Sequence, residues 1–493
     1  MQAIQTHQLN ILRDIAFQTV IQRGLFAEFS PEVLREINGF SENSINTNSN
    51  TLQNLRGLIW SSIDNDDSRD LDQLTVARRL AEDQIQILVA VADVDALVKD
   101  SSATDLHARH NTSTIYTPIR IFPMLPERLS TDLTSLNKQE DRPALVIEMT
   151  ISPEGALITA NIYQAIVRSH AKLAYNAVAA WLDGTRPMPE VIAAVPGLAE
   201  NLKLQFQAAQ RMKRFRQQHG ALSLETIQAV PVFDGVTMVN LDFEQPNCAR
   251  DMIEDFMIVA NGITARFLSS QYYPSIRRVV RTPKRWGRIV EIAAEYGTTL
   301  PDTPDSQALE KFLQKRKSAD PIRFPDLSLA IVKLLGAGEY SAESPGGKNE
   351  MDGHFGLAVN DYAHSTAPNR RYSDLITHRL VKAALSGKES PYTLSELQDL
   401  AKHFTRMENE VNKVERQVEK SVAATLLQGQ VGEIFDGLVT GAATKGTWVR
   451  LLSLPVEGRL VEGFEGVDVG QRIQVKLASV DIQKGFIDFV RVI

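Results

Sequence analysis

The chain has 493 residues, of which 43% are hydrophobic and 23% are charged, and its formal net charge is −7. This composition is typical of a soluble globular protein, and the length allows about three domains. The net charge excludes a uniformly basic coat for nucleic acid but is compatible with a local basic channel. The single cysteine, Cys248, excludes an internal disulfide framework and cysteine-rich metal sites.

The sequence has no apolar run of the ~18 residues that a membrane-spanning helix needs. Its first residues lack the basic and apolar regions of a secretory signal. We therefore expect a cytoplasmic protein without a membrane partner and without disulfides, and we expect a monomer.

The first 50 residues are predicted to be mainly helical. Apolar residues recur at helical spacing over 9–20, Gly24 is a stop signal, and Ser30 with Pro31 restarts a helix as N-cap and first residue. Two short helices of this kind are typical either of a helix-turn-helix module or of a cap packed on the next domain, and both interpretations stay open. Residues 41–51 are rich in Ser, Asn and Thr, which indicates a linker.

A large mixed region follows, from about 52 to 392. The apolar, β-rich stretch 85–92 predicts a buried strand. Alternation over 145–151, a Ser-Pro-Glu-Gly turn and a second β-rich run over 156–167 predict a hairpin. Helices are expected over 251–267 and 372–385.

The chain changes character after residue 392. Thr393 and Glu396 form a capping-box pattern that opens a long charged helix, which we expect to end near 428. The last ~65 residues contain about five short strands with glycines between them, which favours a small closed barrel of the OB type. The predicted fold class is therefore α+β, a large mixed domain with a helical N-terminal module and a C-terminal barrel.

Five aspartates lie within residues 64–72, the densest acidic cluster of the chain. Asp70 and Asp72 share one face of an extended chain, and Asp64 precedes a loop that could bring it to the same point. Crowded carboxylates repel unless a cation neutralises them, and Mg²⁺ prefers oxygen ligands. A pair of such ions is a common device for displacement at phosphorus. The alternatives are a solvated acidic loop or a calcium loop, although the spacing does not fit an EF-hand.

Two basic stretches are candidate partners for that cluster. Arg370 and Arg371 lie near a predicted helix start, where guanidinium groups and free backbone N–H groups suit phosphate; a structural ion-pair network is the alternative. Residues 277–288 contain six basic residues and Trp286, which is typical either of an RNA-tracking patch or of a solvated face.

Taken together, these segments resemble the ribonuclease II/R family of 3′→5′ exoribonucleases, from about Ile63 to the C-terminus. The family's acidic signature, I-D-x-x-x-x-x-D-x-D-D, is matched by Asp64, Asp70 and Asp72. The other matching segments are Ala90–Asp93, Tyr116–Pro118, Phe122–Ser130, Ser135–Asn137 and Thr366–Arg379, with Ala367 where serine is usual. The C-terminal barrel is similar to an S1 RNA-binding domain.

The resemblance implies roles for individual residues. Asp64, Asp70 and Asp72 would form a metal site for Mg²⁺, with Mn²⁺ as an alternative, and Asp72 would be the residue that activity needs most. Arg370 would bind the scissile phosphate and act with Asp72 in catalysis. Tyr116 would stack on a nucleotide near the 3′ end, in a narrow channel.

Two further residues are implied to contact RNA. Asp255 falls where the family has an acid near the terminal ribose. Trp448 is the best candidate in the barrel for base stacking, with packing inside the barrel as the alternative.

Three departures from the family pattern stand out. Gln73 replaces a fourth aspartate, which would weaken one metal, and Asp66 or Asp67 is a possible substitute ligand. Leu224 stands where some members have an aromatic residue, which puts a base sandwich with Tyr116 in doubt. About 50 N-terminal residues stand where two cold-shock barrels usually precede the catalytic domain, so we expect RNA entry to differ.

We therefore predict a metal-dependent, processive, hydrolytic exoribonuclease that degrades single-stranded RNA from its 3′ end to nucleoside 5′-monophosphates. The predicted division is a helical module over 1–50, a catalytic domain over 51–392, a helical connector over 393–428 and an S1 domain over 429–493. The rival hypothesis is an RNA-binding regulator of the same fold with weak or lost hydrolysis, which Gln73 keeps open. An endonuclease is a third hypothesis, and it predicts internal cuts.

Overall fold

The computed structural model describes residues 2–45, 52–225, 229–234, 237–243, 246–321, 323–344, 353–443 and 445–492. No helix in these ranges is long and apolar enough to cross a membrane. The helices are α1 (Gln2–Gln22), α2 (Pro31–Asn38), α3 (Ala103–Asn111), α4 (Tyr175–Leu182), α5 (Glu190–Ala193), α6 (Leu198–Gln218), α7 (Cys248–Ser270), α8 (Trp286–Glu295), α9 (Ser306–Ala319), α10 (Phe324–Leu335), α11 (Tyr372–Leu385) and α12 (Leu394–Leu427). The strands are β1 (Gln53–Asn54), β2 (Trp60–Asp64), β3 (Gln73–Arg79), β4 (Ile85–Ala92), β5 (Ile115–Tyr116), β6 (Ile121–Phe122), β7 (Asp141–Ile151), β8 (Leu157–Ala174), β9 (Ala229–Asp234), β10 (Thr237–Phe243), β11 (Ser275–Val279), β12 (Glu339–Glu343), β13 (Ile434–Ala443), β14 (Gly446–Leu451), β15 (Glu457–Glu462), β16 (Arg472–Asp481) and β17 (Phe486–Arg491).

The main sheet has the order β1-β8-β2-β3-β4-β7. Its strand β8 pairs antiparallel with β7 along most of its length and parallel with β2 near its end, where Asp64 lies opposite Ala174. Because β8 pairs with β2 and also with β7, the last strand of that order, the sheet curves and closes on itself. The predicted buried strand over 85–92 is β4, and the predicted hairpin is β7–β8 with Gly155 in a left-handed turn (φ +98°), so both predictions are confirmed.

Long helices cover this sheet and enclose the main core. Helix α6 packs on β3, and α7 packs on α6, α4 and β2. Trp60, Phe256 and Tyr372 are among the largest fully buried side chains of this core. The predicted helix over 372–385 coincides with α11, and α7 extends the one predicted over 251–267.

The predicted N-terminal helices are α1 and α2, although α1 begins at Gln2 and not near residue 9. Ser30 caps α2 by accepting a hydrogen bond from the Val33 N–H, and Gly24 has the left-handed φ of +75°. Helix α1 lies along α12, whereas α2 packs on α3. Most of the predicted linker lies outside the described residues. The division of the chain at residue 50 stays a prediction.

The arginines of the basic stretch 277–288 form ion pairs with carboxylates of the same chain. Arg277 is buried against Glu343, and Arg278 pairs with Glu408 at 2.6 Å. The remaining arginines of the stretch also bond to carboxylates, as Arg281 with Glu339, Arg285 with Asp468 and Arg288 with Glu291. These pairs join the stretch to β12, to α12 and to the barrel, and the last one lies within α8. They favour a structural role for the stretch over an RNA-tracking one.

The C-terminal part matches the predicted pattern. Thr393 and Glu396 form the capping box that opens α12, a 34-residue helix. The last five strands form a closed barrel in the order β13-β14-β15-β17-β16. The α+β class with a helical start and a C-terminal OB-type barrel is therefore confirmed.

Candidate active site

The aspartate cluster lies at one end of the main sheet, in the loop from β2 to β3. Asp64 is the last residue of β2, and Asp72 immediately precedes β3. The loop is held from the side by Ser135, whose hydroxyl accepts from the Leu71 N–H at 3.0 Å and donates to the Arg69 carbonyl at 3.1 Å. This explains why the segment 135–137 belongs with the acidic motif although it is far from it in sequence.

Asp72 is the most deeply buried carboxylate of the cluster, with an exposed fraction of 1%. Its Oδ1 accepts from the Asn369 N–H at 3.0 Å. Its Oδ2 lies 3.2 Å from Arg370 Nε but, within the described residues, accepts no hydrogen bond. Burial raises the pKa of Asp72 to about 7, against the opposing charge of Arg370. Asp72 is thus held in place with one oxygen left for a further partner.

The other two predicted ligands lie beside Asp72. Asp64 is buried, its Oδ1 accepts from the Asn65 N–H at 2.8 Å, and burial raises its pKa. Asp70 is half-exposed and accepts from the Tyr116 hydroxyl at 3.2 Å. The negative charge of Asp70 adds to the rise in the pKa of Asp64 and of Asp72. The positive charge of Arg370 interacts with all three aspartates. The structure therefore brings Tyr116 and Arg370 to the aspartates, as predicted from sequence.

Whether this cluster can hold a divalent ion depends on the oxygen atoms that it offers as ligands. The described residues contain no group of three or more His, Cys, Asp or Glu side chains already arranged around one ion position. The three aspartates nevertheless offer carboxylate oxygens, the ligand type that Mg²⁺ prefers, and buried Asp72 Oδ2 lacks a hydrogen bond within the described residues. Because Arg370 now acts as the counter-ion of Asp72, a cation could take over that role when Arg370 moves to another anion.

Two neighbouring arginines have different environments. Arg371 donates to both oxygens of Asp374, at 2.9 and 2.7 Å, and Asp374 also accepts from the Ala367 N–H. Burial opposes the charge of Asp374, but the Arg371 guanidinium holds its pKa at about 2. Arg371 is the extended N-cap residue of α11, and neighbouring side chains on an extended chain point apart. Arg370 can therefore face Asp72 while Arg371 supports the helix.

Gln73 has a structural contact that the sequence did not indicate. Its side-chain amide donates a hydrogen bond to the Thr366 carbonyl. This bond joins β3, which follows the aspartates, to the loop that carries Arg370. Asp66 and Asp67 are exposed, and Asp66 accepts from the Asn176 amide at 3.2 Å.

We expect Gln73→Glu to destabilise the protein, because a carboxylate placed against the Thr366 carbonyl cannot donate unless it is protonated. The free energy of unfolding should fall by about 1–3 kcal/mol at pH 8. The loss should be smaller at pH 5, where more of the new side chain is protonated. Urea unfolding of both proteins at the two pH values measures this difference. An unchanged midpoint at pH 8 would show that the contact is dispensable.

Asp255 is placed differently from the other predicted site residues. It is buried between α6 and α7, where it accepts a hydrogen bond from Arg216, and burial raises its pKa to about 7. The adjacent Glu254 is exposed. Burial raises the pKa of Tyr175, and the negative charges of Asp64 and Glu254 add to that rise. Tyr175 directly follows β8, which brings it beside the end of β2.

Sequence reasoning missed Glu254, Tyr175 and Asn369 as neighbours of the site. The signal that could have identified these residues is their position in the chain. Tyr175 follows the strand that pairs with β2, Asn369 precedes Arg370, and Glu254 precedes Asp255. Their proximity depends on strand pairing and helix rotation that the linear pattern does not specify.

Trp448 lies in the barrel strand β14, and Leu224 lies in the segment that follows α6. Trp448 is half-buried outside the apolar core of the barrel and lines a basic cleft. Gly441 and Gly446 flank it, and a Cβ at either would come within 3.2 Å of its ring. Leu224 packs against the α8–α10 unit. Within the described residues, neither side chain shares a hydrogen bond or a ring contact with Tyr116.

Two family models match the chain. One is described as the RNB domain and matches residues 52–387, and the other is described as the RNase II-type exonuclease C-terminal S1 domain and matches residues 433–492. With the closed sheet, the aspartate loop and the barrel already described, these matches show that the chain belongs to the ribonuclease II/R family.

Relatives and solved structures agree with this family. Ribonuclease R of Escherichia coli is 30% identical over 88% of this chain and 57% of that protein, and ribonuclease R of Aquifex aeolicus is 30% identical over 91% and 63%. The chain thus spans less than two thirds of these relatives' length. The structure of Mycoplasma genitalium RNase R in complex with double-stranded RNA is 25% identical, with a TM-score of 0.82 over 96% of this chain and 82% of that one. Yeast Ssd1, a pseudonuclease, shares the fold at 15% identity and a TM-score of 0.63, over 92% and 58%.

Proposed function

We propose that the protein is a metal-dependent exoribonuclease that hydrolyses single-stranded RNA processively from the 3′ end and releases nucleoside 5′-monophosphates. The observation that carries the proposal is Asp72. A deeply buried carboxylate with one unbonded oxygen, beside two more carboxylates and an arginine, is costly for an RNA-holding protein. The same arrangement suits hydrolysis of a phosphodiester.

The proposed metal ligands are Asp64, Asp70 and Asp72, with Mg²⁺ as the preferred ion and Mn²⁺ as an alternative. Divalent ions at such a site supply a strong nucleophile from water at neutral pH and neutralise charge on the leaving oxygen. Loss of Asp72 should therefore remove activity more completely than loss of half-exposed Asp70.

The remaining roles belong to side chains of the chain. Arg370 leaves Asp72 and binds the scissile phosphate, where it stabilises the charge that builds on the phosphate oxygens. The water oxygen becomes bonded to phosphorus and the bond to the upstream O3′ breaks, which leaves a 5′-monophosphate and a new 3′-hydroxyl. Tyr116, held by its hydroxyl on Asp70, stacks on a base near the 3′ end.

Binding of the terminal ribose is proposed for the acidic pair on α7. Asp255 is the residue that the resemblance selects, although its carboxylate is bonded to Arg216. Glu254, exposed and close to Tyr175, is the neighbouring group that could accept from a ribose hydroxyl. The four-part domain division, the cytoplasmic location, the monomeric state and base stacking by Trp448 stay predictions.

A time course on 5′-labelled single-stranded RNA tests the proposal. With Mg²⁺ or Mn²⁺ we expect progressive shortening to one short limit product, with 5′-monophosphates as the released nucleotides, and no decay in EDTA. Chromatography of the released nucleotides identifies the product. Internal fragments would indicate an endonuclease, and tight binding without decay in either metal would indicate the regulator.

The regulator hypothesis is not favoured. It depended on Gln73 as a lost metal ligand, whereas the Gln73 amide has a structural partner in Thr366. Carboxylates beside a polyanion also repel it unless a cation is present.

A further inference from the structure

The N-terminal helices carry little of the positive charge that a nucleic-acid-binding module needs. Residues 1–50 contain three arginines and no lysine, against five acidic residues. Two of these arginines are paired with carboxylates, Arg23 with Glu410 at 3.6 Å and Arg35 with Glu32 at 2.9 Å. Contact with a polyanion depends on Lys and Arg side chains that reach its phosphates. The charge therefore favours a cap on the next domain over a helix-turn-helix module.

The second half of α1 packs behind the β5–β6 hairpin. Ile115 and Phe122 lie opposite each other in this hairpin and are 0% and 2% exposed. They share one apolar cluster with Ala16 and Val20 of α1 and with residues of α12. Successive side chains of a strand point to opposite faces. The face that α1 buries is therefore the reverse of the face that presents Tyr116.

The chain between α1 and α2 is bonded to the end of α3. Asn111, the last residue of α3, is fully buried, and its side-chain amide bonds to both the N–H and the carbonyl of Phe26, each at 2.9 Å. His110 stacks on the Phe26 ring, and its Nε2 lies 2.7 Å from the Gly24 carbonyl oxygen. The N-terminal segment is thus fixed to the residues that lead into β5.

The front of the same stretch, residues 112–116, belongs to the proposed site. The Thr114 N–H donates to the Arg370 carbonyl at 3.0 Å, and the Tyr116 hydroxyl donates to Asp70 at 3.2 Å. A shift of this stretch would therefore move Tyr116 relative to Asp70 and would disturb the main chain of Arg370. The N-terminal helices lie behind the stretch, so they control its position without reaching the aspartates.

We propose that α1 and the chain that follows it are a positioning element of the active site, which fixes the hairpin so that Tyr116 meets the 3′ end of an RNA in one orientation. The inference rests on the proposed function for the identity of the ligand, but it concerns binding and does not require hydrolysis. A hairpin of two short strands is marginally stable by itself, so its order depends on what packs behind it. A side chain that is already fixed loses less entropy when it binds.

Val20→Ala tests the contact behind the hairpin. The matched control is Leu12→Ala, which lies on the same helix but in the apolar cluster of the barrel, about 12 Å away along the helix axis. Because Leu12→Ala removes a larger buried side chain, a general loss of stability would affect the control at least as much. Phe17→Ala is a second, milder variant, since Phe17 is half-buried and its ring centre lies 5.8 Å from the Arg120 guanidinium.

Hydrogen exchange followed by mass spectrometry on the full chain in EDTA measures the local order of the hairpin. We expect residues 113–122 to exchange about tenfold or more faster in Val20→Ala, and faster also in Phe17→Ala, because the hairpin opens locally. The same residues should exchange within about twofold of the original rate in Leu12→Ala.

A double-mutant cycle shows whether α1 acts through Tyr116. Fluorescence anisotropy in EDTA measures the Kd of an oligoadenylate of about five nucleotides for the original protein, Val20→Ala, Tyr116→Ala and the double variant. We expect Val20→Ala to weaken binding about three- to tenfold and Tyr116→Ala about fivefold or more. The double variant should bind within about twofold of Tyr116→Ala, because the side chain that α1 positions is already absent. Leu12→Ala should bind within about twofold of the original protein.

Two results would overturn the inference. One is unchanged exchange over residues 113–122 in both Val20→Ala and Phe17→Ala. The other is an equal loss of affinity from Val20→Ala with and without Tyr116, which would mean that α1 acts elsewhere. An original protein that binds RNA but does not hydrolyse it in Mg²⁺ or Mn²⁺ would instead overturn the proposed function and leave the positioning role in place.

Discussion

Replacement of Asp72 by asparagine is expected to lower RNA hydrolysis on the order of 10³-fold or more, while the fold stays intact. Asparagine keeps an oxygen that can accept from the Asn369 N–H. It removes the negative charge that the proposed metal site requires. Initial rates on 5′-labelled RNA in Mg²⁺ measure the loss, and anisotropy in EDTA measures RNA binding, which we expect to change little.

The same variant should be at least as stable as the original protein without metal. The folded pKa of Asp72, about 7, lies above its ordinary value of 3.8, so the unmodified protein loses stability as pH rises toward 7. Asparagine removes this dependence. Thermal unfolding in EDTA should show the advantage of the variant growing from pH 4 to pH 7 and levelling off above.

Asp66→Asn is the matched control for both measurements. Asp66 lies in the same loop, and the change is chemically identical, but its side chain is exposed. We expect its rate to stay within about threefold of the original and its melting curve to be unchanged. If Asp66→Asn is as inactive as Asp72→Asn, the metal site has been assigned to the wrong carboxylates. Retained activity in Asp72→Asn would have the same meaning.

Local sequence signals predicted much of the fold. The capping box at Thr393, the N-cap at Ser30 and the turn at Gly155 are each specified by a few adjacent residues. Their chemistry acts over one turn of chain, so the pattern is sufficient. The barrel was also predictable, because short strands with glycines between them leave few other arrangements.

The site was predictable in composition but not in detail. The aspartates and Arg370 carry recognisable spacing, and the structure brings them together. The hydrogen bond from Gln73 to Thr366 and the burial of Asp255 against Arg216 depend on contacts between segments far apart in sequence. The sequence left RNA contact and a solvated face both open for the basic run 277–288, because the carboxylates that pair with Arg277 and Arg278 lie elsewhere along the chain.

Arg370→Ala and Arg371→Ala are expected to fail in different ways although the two residues are adjacent. Removal of Arg371 leaves Asp374 buried and without its bidentate partner, and burial then raises the pKa of Asp374, because the Arg371 guanidinium is what holds it at about 2. Breaking such a pair costs about 3–5 kcal/mol of folding stability. The loss should be larger near pH 8 than near pH 5, because the unpaired buried carboxyl group takes up a proton as pH falls and then no longer carries a buried charge.

Arg370→Ala should instead lower kcat about 10²–10³-fold, through lost stabilisation of charge at the phosphate, and cost little stability. Asp72 Oδ2 accepts no hydrogen bond from Arg370 that could be lost, and burial already raises the pKa of Asp72 to about 7, whereas Asp374 loses two hydrogen bonds when Arg371 is removed. Urea unfolding and single-turnover rates on both variants separate the two effects. A large loss of stability in Arg370→Ala with an unchanged rate per folded molecule would show that Arg370, like Arg371, supports the fold and does not act on the phosphate.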